Sequence, residues 1–414
     1  METTLVSSPD LRPSLLGVLE GMAQDGLLSR VLTTLVLRNR SGVGRWLRLM
    51  APEKWRGKLE KRFAPDFLED RVEGYPWREL ARLAAGYVGG AEWSHQTWLW
   101  AELGFDRWVA RSLRSEDRCV YGMEHASLET FRAMRAKNGR CILRAVMAHG
   151  DAVDAVLSRE IGKPSHAASA YEKRWLRDQA RVLERKRAEC ELAGLIIANS
   201  DFVRQTYLAA GLPPERVVAV PTGCPPVEGE AARAGAGKDK LIFLFAGTLS
   251  LRKGMMDLLA AWERWDGRKQ AELWLAGSEE VTLDRERYSG WGVRFLGRLG
   301  SAEMDRVYRQ ADVFVLPTHL EGLAYVVLEA IAHGLPVVTT EASGCGKLVE
   351  DGVNGRIVRP GQVELLVEVL EGCLAQRGRL PEMGRISREK AKGWTQADSQ
   401  RAHHAAIREF LRRE

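Results

Sequence analysis

Residues 239–393 alternate between short apolar runs and helical patterns, and this alternation constrains the fold more than any other feature of the sequence. The apolar runs predict strands at 241–246, 273–276, 293–296, 313–316, 337–340 and 356–358. Strands that alternate with helices at this spacing form a parallel sheet with right-handed crossovers. Ligands of such sheets bind where the carboxyl ends of the strands meet. The sequence therefore predicts an α/β domain with a site at that edge.

A similar but weaker pattern occupies residues 1–225 and predicts a first α/β domain. Its predicted strands are 3–6, 31–37, 120–121, 141–147 and 195–198, with separate helical segments at 77–87 and 93–101, and residues 217–223 close the domain. Residues 226–238 are rich in Gly, Ala and charge, which is typical of an interdomain linker. Residues 394–414 form one amphipathic helix rich in Arg and His, which we expect to pack back on the first domain.

The bulk composition indicates a cytoplasmic protein. Six cysteines are scattered without a CxxC pair or metal-ligand spacing, which is typical of reduced thiols. Residues 1–13 lack the basic-then-apolar layout of a signal peptide. No apolar run reaches the roughly 18 residues of a membrane span. The formal net charge of +6 is compatible with a phosphorylated ligand or an anionic membrane.

A basic stretch lies at residues 38–63. Between residues 38 and 62 it carries nine Lys or Arg against two acids, interleaved with Trp46, Trp55 and other apolar residues. One interpretation is a solvated basic face with a few core anchors. The other is a surface that contacts anionic lipid headgroups at the inner face of the membrane, where Trp and Lys or Arg are favoured. No nucleic-acid-binding module accompanies the stretch, so we expect no nucleic-acid partner.

Two carboxylates, Glu321 and Glu329, follow the fourth strand of the second domain. The sequence predicts a helix that begins at Gly322, with Glu321 in the loop before it. At about 100° per residue, eight steps return to nearly the same helix face, so both carboxylates are expected to point into one cleft. The free amides of Gly322, Leu323 and Ala324 at the helix N-terminus would form an anion site. This predicts a ligand with phosphate and hydroxyl groups.

Five motifs in register resemble those of the retaining glycosyltransferases of family four, also called group 1 glycosyl transferases. They are Phe245-Ala-Gly-Thr-Leu-Ser-Leu-Arg-Lys-Gly254, Phe295-Leu-Gly-Arg-Leu299, the Glu321 and Glu329 pair, His333-Gly-Leu-Pro-Val-Val338, and Gly344-x-Gly-Lys-Leu-Val-Glu-Asp-Gly-Val-Asn-Gly355. The resemblance covers about residues 195–400. It thins toward the N-terminus, where Ala148-His149-Gly150 and residues 196–200 carry it.

The resemblance implies two Rossmann-like parallel-sheet domains that face a central cleft, the B-type glycosyltransferase fold. The first domain would bind the acceptor and the second the nucleotide sugar. The implied reaction moves a hexose from a UDP- or GDP-sugar to a glycan, lipid-linked or small-molecule acceptor, with retention of configuration. It needs no metal or other cofactor and no protein nucleophile, because the leaving phosphate helps to deprotonate the acceptor.

The resemblance also assigns roles to individual residues. Arg252 and Lys253 would grip the phosphates in the glycine-rich loop that includes Gly247. Glu321 would meet the donor sugar and Glu329 the ribose hydroxyls.

Further roles follow from the remaining motifs. The backbone around Arg298 and Leu299 would hold the base, and the amides of Gly322, Leu323 and Ala324 the phosphates. His149 resembles the active-site histidine of the first domain. His149, Lys253 and Glu321 are therefore the predicted catalytic residues.

The chain departs from the family pattern at Thr248, where many relatives carry Arg. Arg252 can supply the missing charge; if it does not, the alternative is a catalytically weak nucleotide-sugar-binding scaffold. The loop at residues 7–12 also lacks the glycine pair that lets the first domain approach the diphosphate. A sugar-nucleotide epimerase is a third interpretation, whereas a phosphorylase would need a pyridoxal lysine in a motif that the sequence lacks.

Overall fold

The computed structural model describes residues 3–413 except 51–58, 61, 162–169, 228, 230–238 and 282. Most of the predicted linker at 226–238 and the centre of the basic stretch at 38–63 therefore lie outside the described residues. All six cysteines are described, and all are free thiols.

A parallel sheet forms the core of the first domain. Within the described residues it contains β1 (Thr4–Ser7), β2 (Leu28–Thr33), β3 (Val72–Gly74), β4 (Cys119–Met123), β5 (Arg140–Ala145), β6 (Leu195–Ala198) and β7 (Val217–Ala219). The strand order is β3-β2-β1-β4-β5-β6-β7. Its helices are α1 (Pro13–Gln24), α2 (Gly42–Met50), α3 (Pro76–Arg111), α4 (Leu128–Ala136), α5 (Gly150–Ile161), α6 (Ala170–Leu192) and α7 (Asp201–Ala209).

A second parallel sheet forms the core of the second domain. In the described part of the chain its strands are β8 (Leu241–Ala246), β9 (Ala271–Ala276), β10 (Val293–Gly297), β11 (Val313–Leu316), β12 (Val337–Thr340) and β13 (Gly355–Val358). Their order is β10-β9-β8-β11-β12-β13. The helices are α8 (Met255–Arg264), α9 (Arg285–Ser289), α10 (Ser301–Gln310), α11 (Tyr325–Ala332), α12 (Val363–Ala375) and α13 (Leu380–Lys392), followed by α14 (Gln396–Arg412).

The strands are apolar on both faces because helices cover both sides of each sheet. In β1, Leu5 packs into the hydrophobic cluster on one face and Val6 into the cluster on the other. In β5, Cys141 and Leu143 share the first cluster while Ile142 faces the second. Successive side chains of a strand point to opposite faces, so an unbroken apolar run is what a sheet buried on both sides requires.

Helix α14 lies against α1 of the first domain. His404 shares a hydrogen bond with the carbonyl oxygen of Val18, 3.0 Å from its Nε2, and Arg408 Nη2 is 2.6 Å from Asp25 Oδ1. A Cβ at Gly21 would lie 1.7 Å from the His404 ring, so a glycine is needed for this approach. The end of the chain thus returns from the second domain to the first.

The predicted fold class, two parallel-sheet α/β domains, is confirmed, and some details were wrong. The two helical segments at 77–87 and 93–101 form one helix, α3, because the intervening glycines weaken a helix by only about 1 kcal/mol each. The strand predicted at 31–37 is β2, which spans Leu28–Thr33, and Leu37 instead forms an isolated bridge with Phe63. The short strand β3 was not predicted.

Within the described residues, none of the helices is both long enough and apolar enough to cross a bilayer.

Candidate active site

The loop that follows β11 runs between the two domains. Ser200, which caps α7 of the first domain, donates a hydrogen bond of 2.6 Å from its Oγ to the carbonyl oxygen of Gly322. A Cβ at Gly322 would lie 1.7 Å from the carbonyl oxygen of Val146, at the end of β5. The backbone of the second domain therefore touches the backbone of the first, and only glycine fits at this contact.

Glu321 lies in this loop beside two cations. Its Oε1 is 2.6 Å from Lys253 Nζ and 3.0 Å from Arg252 Nη1. The Oε1 atom is buried, and both cations lie within ion-pair distance of it. Burial tends to raise the pKa of Glu321, but the nearby charges of Arg252 and Lys253 outweigh it, so the pKa lies below its usual range. Glu321 is therefore ionised at neutral pH.

The glycine-rich loop after β8 places these cations. Gly247 has φ +125°, and a Cβ there would lie 3.3 Å from Lys253 Nζ, so a side chain would crowd the lysine. The carbonyl oxygen of Arg252 accepts hydrogen bonds from the amide of His319 at 2.8 Å and from Thr318 Oγ1 at 3.0 Å. The two loops thus fix each other.

A buried histidine links the same region across the domains. His319 Nε2 is 2.6 Å from Asp257 Oδ2 on α8, and its Nδ1 is 3.5 Å from Glu160 Oε1 on α5. These two partners were not predicted, because Asp257 and Glu160 are both far from His319 along the sequence.

Glu329 lies on α11 and faces α10. Its Oε2 accepts a hydrogen bond of 2.8 Å from the hydroxyl of Tyr308, whose ring stacks on His333. Burial raises the pKa of Glu329, and the hydrogen bond from Tyr308 opposes that shift. Tyr308 therefore fixes one oxygen of this carboxylate.

The predicted start of this helix was wrong. Helix α11 begins at Tyr325 rather than Gly322, because the amides of Glu321 and Ala324 donate to the carbonyl oxygens of Ala342 and Ser343 and hold the stretch extended. Half of the eight-residue interval between the carboxylates is therefore not helical, and helical spacing does not place them on one face.

One of the three predicted amide donors is also occupied. The amide of Ala324 donates to the carbonyl oxygen of Ser343 at 2.8 Å, so the prediction that it is free was wrong. The amides of Gly322 and Leu323 find no acceptor among the described residues.

Other predicted residues lie at the same edge of the second sheet. Gly247, Arg298 and Glu321 follow β8, β10 and β11 respectively, and the carboxyl ends of parallel strands meet at one edge. Arg298 is exposed and, with Leu299, forms the turn before α10. Thr248 is half-buried in the loop after β8.

His149 caps the start of α5 in the first domain. Its Nδ1 accepts a hydrogen bond of 3.3 Å from the amide of Asp151, and its ring meets the edge of Tyr207 at 5.2 Å. Burial lowers the pKa of His149 despite the nearby Asp151 carboxylate, so the imidazole is neutral at neutral pH. The adjoining Ala148 packs with Leu320 of the interdomain loop.

A cavity of about 890 Å³ opens between the domains, where the resemblance implied a central cleft, but most of its lining residues were not predicted from the sequence. Leu323 and Tyr325 line it from the second domain, and Glu124, Arg144 and Lys186 line it from the first. Asp10 and Arg12 of the loop at 7–12 also reach it. The sequence signal that could have indicated this cavity is Arg144, the single charge within the apolar run at 141–147.

Comparison with known proteins gives a family for the second domain. Residues 240–376 match the family model of Glycosyl transferases group 1. The chain is 28% identical over 357 residues to a D-inositol 3-phosphate glycosyltransferase of Nocardia farcinica, covering 80% of this chain and 70% of that protein. It is 32% identical over 149 residues to the sulfoquinovosyl transferase SQD2 of Arabidopsis thaliana, covering 35% of this chain and 28% of that protein.

Several of these matches cover only part of each relative. Besides the 28% of SQD2, the matched stretch spans 38% of the uncharacterised glycosyltransferase MJ1607 of Methanocaldococcus jannaschii and 49% of a D-inositol 3-phosphate glycosyltransferase of Geodermatophilus obscurus.

Solved structures share the fold over nearly the whole chain. The lipopolysaccharide outer core galactosyltransferase WaaB superposes with a TM-score of 0.60 at 14% identity, covering 98% of this chain and 99% of that one. Anabaena Alr3699/HepE in complex with UDP and glucose gives a TM-score of 0.59 at 16% identity, covering 99% and 100%. At this identity the likeness concerns the fold alone.

The close contact at Gly322 predicts the effect of a single methyl group. Gly322→Ala should lower the free energy of unfolding by about 1–3 kcal/mol, because the added Cβ overlaps the backbone of Val146. Chemical denaturation of the full chain measures this change. Gly346→Ala is the matched control, since a Cβ there meets nothing within 4 Å. Equal stability of the two variants would contradict the contact.

Proposed function

Because residues 240–376 form a domain of the group 1 glycosyl transferases, we propose that the whole chain is a retaining hexosyltransferase. It moves a hexose from a UDP- or GDP-sugar to a glycan, lipid-linked or small-molecule acceptor. The observation that carries the proposal is the cluster of Lys253, Arg252 and Glu321 at the carboxyl edge of the second sheet. Two cations at that edge can bind a diphosphate and balance its negative charge.

Lys253 and Arg252 bind the diphosphate of the donor. In the structure their charges are balanced by Glu321, so an incoming phosphate competes with this carboxylate for the same cations. The amides of Gly322 and Leu323, which find no acceptor among the described residues, add donors for the phosphate oxygens. Glu321 then accepts hydrogen bonds from hydroxyls of the donor sugar.

Glu329 binds the ribose. Tyr308 fixes its Oε2, which leaves the second carboxylate oxygen to accept hydrogen bonds from the ribose hydroxyls. The backbone of Arg298 and Leu299, at the carboxyl end of β10, holds the base.

The transfer breaks the bond between the anomeric carbon and the diphosphate, and the acceptor oxygen bonds to the same face of that carbon. The proton of the acceptor hydroxyl passes to the leaving phosphate, so no protein nucleophile is involved. Lys253 and Arg252 stabilise the negative charge that develops on the phosphate, which removes the need for a metal. Neutral His149 contacts the donor sugar from the first domain.

UDP-sugars are the first donors to test. The structures of Anabaena Alr3699/HepE are complexes with UDP and with UDP-glucose.

The proposed roles predict distinct losses of activity. Lys253→Ala should lower kcat/KM by about 100- to 1000-fold, because it removes charge that stabilises the leaving group. Glu329→Ala should raise KM for the donor by about 10- to 100-fold, because it removes hydrogen bonds to a charged group. The measurement is nucleotide release from UDP- and GDP-sugars with candidate acceptors.

Lys392→Ala is the control, since Lys392 is exposed and pairs only with Glu389 among the described contacts. The proposal fails if no donor yields nucleotide, or if Lys253→Ala and Glu329→Ala are as active as Lys392→Ala. Tight UDP binding without turnover would instead support the scaffold alternative raised by Thr248.

We further propose that the first domain contacts the cytoplasmic face of an anionic membrane. Most of the exposed large apolar side chains among the described residues lie on α2 and α3. Trp46 and Leu49 of α2 are 61% and 77% exposed, and Trp77 and Val88 of α3 are 72% and 81% exposed. The basic stretch at 38–63 includes α2, so aromatic and cationic groups occur together, as lipid headgroups favour.

Vesicle sedimentation tests this contact. The full chain should sediment with vesicles of phosphatidylcholine and phosphatidylglycerol but not with phosphatidylcholine alone, because basic residues are attracted to anionic lipid. The double variant Trp46→Ser, Leu49→Ser should lose this binding. Leu176→Ser, at an exposed leucine of α6, should keep it. Equal partitioning of the unmodified chain into both kinds of vesicle would refute the contact.

A further inference from the structure

Arg144 is a buried cation that the proposed donor chemistry does not use. It lies on β5, lines the cavity between the domains and is 4% exposed. Its Nε and Nη1 atoms are buried and have no hydrogen-bond partner among the described residues. Buried polar groups are nearly always paired in native structures, so these N–H groups need an explanation.

The other cations that line the cavity differ from Arg144. Arg12 Nε is 2.8 Å from Asp10, Arg82 Nη2 is 2.7 Å from Glu79, and Lys186 Nζ is 3.4 Å from Glu124. No carboxylate in the described part of the chain lies within ion-pair distance of Arg144.

The groups that interact with Arg144 are uncharged. Burial raises the pKa of Tyr121, although the charge of Arg144 and its contact with the phenol oppose this shift, so the phenol stays protonated at neutral pH. Burial, aided by the charge of Arg144, lowers the pKa of His403 to about 3, so its imidazole is neutral. Neither side chain carries a negative charge that could balance the positive charge of the Arg144 guanidinium.

A buried charge without a partner destabilises a folded protein, because it loses hydration and gains nothing in return. An anion that enters the cavity removes this cost. The planar guanidinium presents N–H groups in a fork that matches the oxygens of a phosphate or a carboxylate.

The rest of the cavity indicates what carries the anion. Its walls include Val18, Trp98, Val146 and Val182, which favour an apolar body. Leu323 also lines it and directly follows the proposed donor-binding residues Glu321 and Gly322. A molecule in the cavity therefore lies next to the proposed donor site.

We propose that the cavity binds the acceptor of the reaction, and that this acceptor carries an anionic group, a phosphate or a carboxylate, which pairs with Arg144. The identification of the occupant as acceptor rests on the proposed transferase function. The anion site itself rests only on the cavity and on Arg144.

Calorimetric titration with octyl phosphate tests the anion site. The unmodified chain, saturated with UDP so that the proposed donor site is filled, should bind octyl phosphate. Arg144→Gln should weaken this binding by about 10- to 100-fold, the loss expected for hydrogen bonds to a charged group. Octyl glucoside, which has no charge, should bind both proteins equally. Arg12→Gln is the control, because Arg12 also lines the cavity but is exposed and paired.

Two results would overturn the anion site. One is equal octyl phosphate affinity in Arg144→Gln and the unmodified chain, and the other is an equal loss in Arg144→Gln and Arg12→Gln. The melting temperature provides a second readout without ligand. Arg144→Gln should keep or raise it, because the substitution removes an unpaired buried charge, whereas a structural arginine would make it fall.

Further arms separate the remaining possibilities. If glycerol 1-phosphate binds as tightly as octyl phosphate, the acceptor is a small polar molecule. If glycerol 1-phosphate binds more weakly than octyl phosphate, the acceptor is an amphiphile. Both outcomes support the anion site. Titration with UDP alone is independent of Arg144. If the unmodified chain does not bind UDP, the result counts against the transferase function. If Arg144→Gln binds octyl phosphate as tightly as the unmodified chain does, the result counts only against the anion site.

Discussion

The ion cluster of Glu321, Arg252 and Lys253 is the interaction on which the rest of the candidate site depends. Burying a carboxylate is costly unless cations accompany it, so the loop after β8 must deliver Arg252 and Lys253 to the loop after β11. Gly247 leaves room for the lysine, and the carbonyl oxygen of Arg252 anchors the opposite loop. A preformed cluster of this kind needs little rearrangement when a phosphate replaces the carboxylate as counter-ion.

The same loop joins the two domains. Gly322 touches the backbone of Val146 and receives a hydrogen bond from Ser200, and Leu323 then forms part of the cavity wall. The proposed donor and acceptor sites are therefore adjacent along one short segment. A side chain at Gly322 would displace this segment, because its Cβ would overlap the backbone of Val146, and would therefore alter both sites together.

The sequence predicted the second sheet well because its strands are short apolar runs whose length sets their bounds, as in 241–246 and 337–340. It misplaced the start of α11 because hydrogen bonds to Ala342 and Ser343, distant along the chain, hold residues 321–324 extended. The contacts of Glu321 with Arg252 and Lys253 agree with the prediction that these residues share one site. The lining of the cavity in the first domain and the unpaired state of Arg144 were not foreseen, because both depend on how α1, α6 and α14 pack around β5.

The most direct test of the central claim is UDP affinity, measured by calorimetry, in the unmodified chain, Lys253→Ala and Glu321→Gln. If phosphate replaces Glu321 as the partner of Arg252 and Lys253, the unmodified chain binds UDP and Lys253→Ala binds UDP more weakly. Glu321→Gln then keeps or gains UDP affinity, because its cations have lost their internal partner, yet it loses sugar transfer. Absence of UDP binding, or a loss of UDP affinity in Glu321→Gln as large as in Lys253→Ala, would contradict the account.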